Sequence, residues 1–239
     1  MVRCDVPSFA RGVAALWLTM TGSCAYAAET VAIDVGHSLE APGATSAHGR
    51  VEFEFNRDLA RSLQARLERL GIATRMIGIE GGQVNLAARP VLARGTRLFV
   101  SVHHDSTQPR YLHTWTYDGE ERRYSDRHGG FSLFVSRKNP ALAESRDCAS
   151  RMGRALREEG FLPSLYHAER IPGENRPFAD RANGVHYYDN LAVLKGAASP
   201  AVLVEAGVIV NRDEESRLAQ PELRERMAEA LARGIADCR

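Results

Sequence analysis

The sequence has no excess of charge of either sign, with 31 Lys and Arg against 30 Asp and Glu. A chain so balanced offers no basic field to hold nucleic acid, and DNA and RNA are set aside as partners. Past the first 27 residues no apolar run approaches the ~20 residues that a membrane-spanning helix needs, so the mature chain carries no integral membrane segment. There is no internal repeat and no low-complexity tract. No Gly-x-Ser-x-Gly turn is present, which leaves a serine-based hydrolase without support. The charge runs at 120–123 and 212–215 are short and mixed in sign, and read as solvated surface.

Cysteine is scarce, with four in 239 residues. The first 27 residues read as a secretory signal: Arg3 and Arg11 precede the apolar stretch GVAALWLTM, and small residues lead to Ala25-Tyr26-Ala27. Cleavage there removes Cys4 and Cys24 and carries Cys148 and Cys238 into a compartment where thiols oxidise, periplasmic or extracellular. Either these two form one disulfide or they are two half-buried thiols, since sequence gives no distance between them.

What remains, residues 28–239, fits one domain, and the 44% hydrophobic content of the full 239-residue chain suffices for a sizeable core. Short β-rich runs alternate with amphipathic segments: VAIDV at 31–35, ATRMIG at 73–78, LFVSV at 98–102, FSLFV at 131–135 and AVLVEAG at 201–207. This is the pattern of an α/β domain in which helices cover both faces of a mostly parallel twisted sheet. Phe55, Leu59, Leu63 and Leu67 recur every four residues up to Gly71, which predicts a helix with a glycine stop. Further helices are predicted over 140–160 and from Pro221 to the C-terminal end, each proline suiting a first turn. Residues 107–130 and 163–191 show no clear periodicity and read as long functional loops or disorder.

Three candidate metal ligands sit at or beyond strand or helix ends, where an α/β sheet offers side chains to a cleft. His37 follows the first strand, Glu52 opens the first long helix, and His103 ends the third strand run. Two imidazoles and a carboxylate suit catalytic zinc with one position left open. Each also has a plainer explanation: a helix N-terminus favours Glu, and a lone His after a strand is often a hydrogen-bonded surface residue. Glu205 favours the metal, because a carboxylate inside the apolar run AVLVEAG is costly to bury without a positive partner.

The strings VAIDVGHS, EFEFN, SVHHDS and SPAVLVEAGVIVN, in this order and spacing, resemble the zinc-dependent N-acetylmuramoyl-L-alanine amidases of the Amidase_3 type, over roughly 31–239. The resemblance implies a zinc amidase of phosphorylase/hydrolase-like fold, with one Zn²⁺ per chain on His37, Glu52 and His103 and with Glu205 as catalytic base. Asn56 and Asn211 match family positions with supporting roles. Two departures stand out: Val35 replaces a common Pro, and His104-Asp105 replaces a small residue and Asn. His104 is thus a rival ligand, but adjacent strand residues point to opposite faces, and His103 is the match. The implied reaction is cleavage of the amide between N-acetylmuramic acid and the L-alanine of the stem peptide in peptidoglycan, by a monomer acting outside the cytoplasm. Competing expectations are a zinc carboxypeptidase on wall peptides and an inactive wall-binding or regulatory protein. The aromatic and Arg residues of 107–130, among them Tyr111, Trp115, Tyr117 and Tyr124, suit sugar stacking and carboxylate pairing. The 163–191 segment is a candidate lid released by a protein activator, with Glu169 or Glu174 as the blocking ligand.

Overall fold

β1 (Val31–Val35) is buried at every position, as a strand covered on both faces must be. It lies between β2 (Thr74–Ile77) and β3 (Leu98–Asp105), and β3 is followed in the sheet by β9 (Ala201–Val208), all parallel. Beyond β9 the sheet turns mixed. β6 (Ser132–Val135) pairs antiparallel to β9, β8 (Val185–Tyr187) parallel to β6, and β7 (Phe178–Asp180) antiparallel to β8 at the edge. The computed structural model describes residues 30–82 and 85–238; the secretory segment expected at 1–27 lies outside them.

The two sheet faces are covered unequally. One packs against α1 (Glu52–Arg69), α3 (Leu142–Glu158) and α6 (Pro221–Ala236), whose buried Phe55, Leu59, Leu63, Met152, Leu156 and Leu231 meet Val31, Ile33, Val100 and Val204. Each such side chain contributes about 1.5–3 kcal/mol on burial, so this layer carries most of the core. The other face is covered by short α2 (Arg89–Leu92) and by α4 (Ala192–Lys195), whose Val193 and Leu194 cluster with Phe99, Phe134 and Leu203 of the sheet. That thin cover leaves room for a cleft. α5 (Arg212–Leu218), absent from the sequence expectation, is capped by Asn211, whose side-chain oxygen accepts from the Glu214 N–H at 3.0 Å. Asn211 Nδ2 also donates to the His128 carbonyl at 3.0 Å, so its support is structural.

Neither long loop is structureless. Within 107–130, β4 (His113–Tyr117) and β5 (Glu120–Tyr124) form an antiparallel hairpin. Its turn is Asp118-Gly119, both at positive φ (52° and 77°), a pair of types that a two-residue hairpin turn demands and that the sequence displayed. Within 163–191, β7 and β8 extend the sheet, a pairing that three-residue strands do not announce through periodicity. Cys148 on α3 and Cys238 after α6 are joined as a disulfide, with Cα atoms 5.0 Å apart. Among the described residues no helix is long and apolar enough to cross a membrane.

Candidate metal centre

The three predicted ligands converge at the C-terminal ends of the parallel strands. His37 lies in the loop after β1, Glu52 is the first residue of α1, and His103 is on β3, which runs past its expected end to Asp105. One ligand atom from each lies within 4.8 Å of the others. Glu52 stands between the two rings, with Oε2 3.0 Å from His37 Nε2 and Oε1 3.1 Å from His103 Nδ1. Zinc bonds to nitrogen and oxygen are ~2.0–2.2 Å long, so one ion comes close to spanning such a gap, and the donor set is the one borderline-soft Zn²⁺ accepts. The residues present therefore fit the ion.

Backbone packing explains why the three meet. Gly36 approaches β3 so closely that a Cβ there would collide with the His103 ring, and at Gly43 one would strike the Glu52 carboxylate. Glu52 also accepts from the Ala44 N–H at 3.0 Å and from Asn56 Nδ2 at 3.2 Å. Asn56, one helical turn along, donates to the Gly36 carbonyl at 3.2 Å as well, so its supporting role is to tie α1 to the loop that carries His37. His37 itself adopts φ +70°, a left-handed conformation costing a non-glycine residue roughly 1–3 kcal/mol.

Burial pushes the Glu52 carboxyl up, but the hydrogen bonds and charge of His103 and His37 outweigh it and hold Glu52 well below the usual carboxylate range. Burial lowers His37, yet its contact with Glu52 raises it overall. His104 points to the opposite face of β3, is buried, and has Nδ1 2.8 Å from Asn56 Oδ1. Burial depresses its pKa to about 3, so the ring is neutral, and its place on the opposite face against Asn56 keeps it out of the ligand group.

Glu205 lies on β9 in register with His103 on β3. Its Oε2 is sealed from solvent without a hydrogen-bond partner among the described residues. Burial, then the charges of Asp105 and Glu52, raise its pKa well above the ordinary value against the opposing effect of Arg176. A cleft of about 740 Å³ opens beside His37 and His103, walled by Asn85, Leu86, Leu191 and Val193, within the size range of small-ligand sites.

Glu169 and Glu174, the candidate blocking ligands, do not join this group. Glu174 pairs with His167 (2.9 Å), Arg176 and Gln108, and Glu169 with His128 (3.2 Å) and the Tyr111 hydroxyl (3.2 Å). His167 reaches Asp105 at 2.8 Å. Trp115 of the hairpin stacks on Tyr117 and donates Nε1 to the Ala47 carbonyl at 3.1 Å, so part of the aromatic surface anchors the hairpin to the body.

Sequence reasoning missed Arg89. It is buried and pairs with buried Asp34 at 2.7 Å directly beneath the His37 loop. The signal was available: Asp34 inside VAIDV is a carboxylate in an apolar strand, as Glu205 is in AVLVEAG, and calls equally for a positive partner.

Comparison with known proteins gives the following. The Amidase_3 profile, described as N-acetylmuramoyl-L-alanine amidase, matches residues 31–237. The chain is 27% identical over 228 residues to N-acetylmuramoyl-L-alanine amidase AmiC of Neisseria meningitidis serogroup B, covering 86% of this chain and 51% of that protein. It is 26% identical over 232 residues to a probable N-acetylmuramoyl-L-alanine amidase AmiB of Haemophilus influenzae, with the same coverage of 86% and 51%. The chain thus spans about half the length of the curated relatives it matches. Among solved structures, the N-acetylmuramyl-L-alanine amidase Ami1 of Mycobacterium smegmatis superposes with a TM-score of 0.69 at 24% identity, covering 88% of this chain and 96% of that one. The catalytic domain of CwlV from Bacillus (Paenibacillus) polymyxa var. colistinus does so with 0.65 at 22%, covering 88% and 99%. At these identities the structures show a shared fold.

Proposed function

The chain belongs to the N-acetylmuramoyl-L-alanine amidase family, Amidase_3, and on that premise we propose that it is an exported zinc hydrolase that cleaves the bond between N-acetylmuramic acid and the L-alanine of the stem peptide. The observation that carries this reading is the convergence of two imidazoles and one carboxylate beside a buried glutamate oxygen that has no hydrogen-bond partner among the described residues. In this reading residues 1–27 are removed on export, and the mature monomer works on peptidoglycan in the periplasm or outside the cell.

His37, Glu52 and His103 would hold one Zn²⁺. When bound, such an ion lowers the pKa of a water ligand toward ~7 and polarises a carbonyl, which supplies both nucleophile and electrophile at neutral pH. Glu205 then does the proton work at Oε2: it takes a proton from the attacking water and delivers it to the alanine nitrogen as the C–N bond breaks. A carboxyl whose pKa is raised by burial and by neighbouring Asp105 suits that exchange better than an ordinary surface glutamate. Asn56 holds Glu52 and the His37 loop in place, and Leu86, Leu191 and Val193 give the cleft beside His37 and His103 an apolar wall.

The test is product identification. Purified mature protein with one equivalent of zinc, incubated with sacculi, is expected to release intact stem peptides and leave glycan chains uncut. Shortened stem peptides still attached to glycan would assign a carboxypeptidase instead, and binding without any product would assign a wall-binding role.

A further inference from the structure

Besides Asn56, a second buried side chain, Arg89, holds the loop that carries His37. Arg89, the first residue of α2, donates through Nη1 to Asp34 Oδ1 at 2.7 Å and to the Val35 carbonyl at 2.5 Å. Its Nη2 donates to the His37 carbonyl at 2.6 Å. One planar guanidinium therefore grips the backbone on both sides of Gly36. Asp34 is fixed in turn by the Ser101 hydroxyl at 2.7 Å, from the strand that carries His103, and the Gly36 N–H bonds the Val102 carbonyl at 3.0 Å. Arg89, Asp34 and Ser101 are all buried.

We propose that Arg89 is a positioning residue for the metal centre: its fork sets the left-handed backbone of His37 so that the imidazole faces Glu52 and His103. A non-glycine residue at φ +70° stays there only when its surroundings over-determine it, and the His37 carbonyl's bond to Arg89 is the side-chain contact made directly to that backbone. The requirement is for geometry more than for charge. Lysine would bring one ammonium with no planar fork, so it could balance Asp34 but not hold the two carbonyls at fixed angles. Arg89 thereby acts at one remove, like the outer partners that orient metal-bound side chains in general. The proposal rests on the cation-site reading above.

The experiment measures Zn²⁺ and Co²⁺ affinity by chelator competition, together with the visible spectrum of the Co²⁺-loaded protein, in wild type, R89K, D34N/R89M and H37A. The double variant removes both buried charges together, so that no unpaired charge is left to unfold it, and circular dichroism checks each fold. R89K and D34N/R89M are expected to bind metal about 10- to 100-fold more weakly, with an altered cobalt spectrum. If both fold and bind with wild-type affinity and spectrum while H37A does not bind, Arg89 has no positioning role and the metal reading survives. If wild type and H37A are alike in failing to bind, or alike in binding, the metal reading itself falls and this inference with it. A loss of melting temperature alone, with affinity and spectrum intact, also overturns the proposal.

Discussion

His103 on β3 and Glu205 on β9 are register partners in adjacent parallel strands, so their side chains leave the same face of the sheet one strand spacing apart. A proposed base beside a proposed ligand is what hydrolysis at a cation site requires. Glu205→Gln keeps the shape and removes the proton acceptor. Its turnover on sacculi is expected to fall by about 10²- to 10⁴-fold, with one equivalent of zinc still bound by metal analysis. Full turnover in this variant would refute the assignment.

The same substitution has an opposite effect on stability. Glu205 has a folded-state pKa raised above the unfolded value, so the native metal-free protein holds the proton more tightly than the unfolded chain does. Its contribution is fully present below the ordinary carboxylate pKa and is lost as pH rises through the raised one. In chelator-treated protein, Glu205→Gln is therefore expected to gain stability over wild type as pH climbs above about 4.5, by at most ~1.4 kcal/mol per pH unit. Urea midpoints of the two proteins at pH 4, 6 and 8 measure this, and parallel pH profiles would contradict it.

Neighbouring histidines should behave differently. His103→Ala is expected to abolish zinc binding and activity while the fold persists, because the ring is partly exposed in the cleft. His104→Ala should keep zinc stoichiometry at one and instead lose about 1–3 kcal/mol, since the buried Asn56 oxygen is left without a partner. Zinc content and chemical denaturation of the two variants separate the roles, and a swap of phenotypes would make His104 the ligand.

The Cys148–Cys238 link closes a loop of 90 residues between α3 and the C-terminal end of α6. Cys148→Ser/Cys238→Ser is expected to cost about 2–4 kcal/mol, seen as a lower denaturant midpoint under oxidising conditions. Reducing agent should bring wild type down to the same value. Equal midpoints for wild type and variant without reductant would show that the thiols are not linked.

The five strand runs, the three long helices and the placement of His37, Glu52 and His103 at or beyond strand or helix ends were legible because each rests on local pattern, whereas the order of the strands in the sheet was not. β1, β3 and β9 read as apolar runs, and α1 reads through Phe55, Leu59, Leu63 and Leu67. The β4–β5 hairpin carried a local signal in Asp118-Gly119, yet its alternation was masked by charged and aromatic side chains exposed on both faces. β7 and β8, three residues each, are strands because β6 offers an edge to pair with, which no local pattern encodes.

What the chain determined alone is therefore the set of chemically capable groups and the elements that carry them, since helix and strand periodicity act over a few residues. Tertiary structure decided which groups meet. Glu52 touches His103 across 51 residues, Arg89 reaches His37 across 52, and Glu169 and Glu174 are drawn to His128 and His167 rather than to the ligand group. Those choices are long-range because buried charge must find a partner wherever the fold places one, and the fold places partners by packing the sheet and its helices.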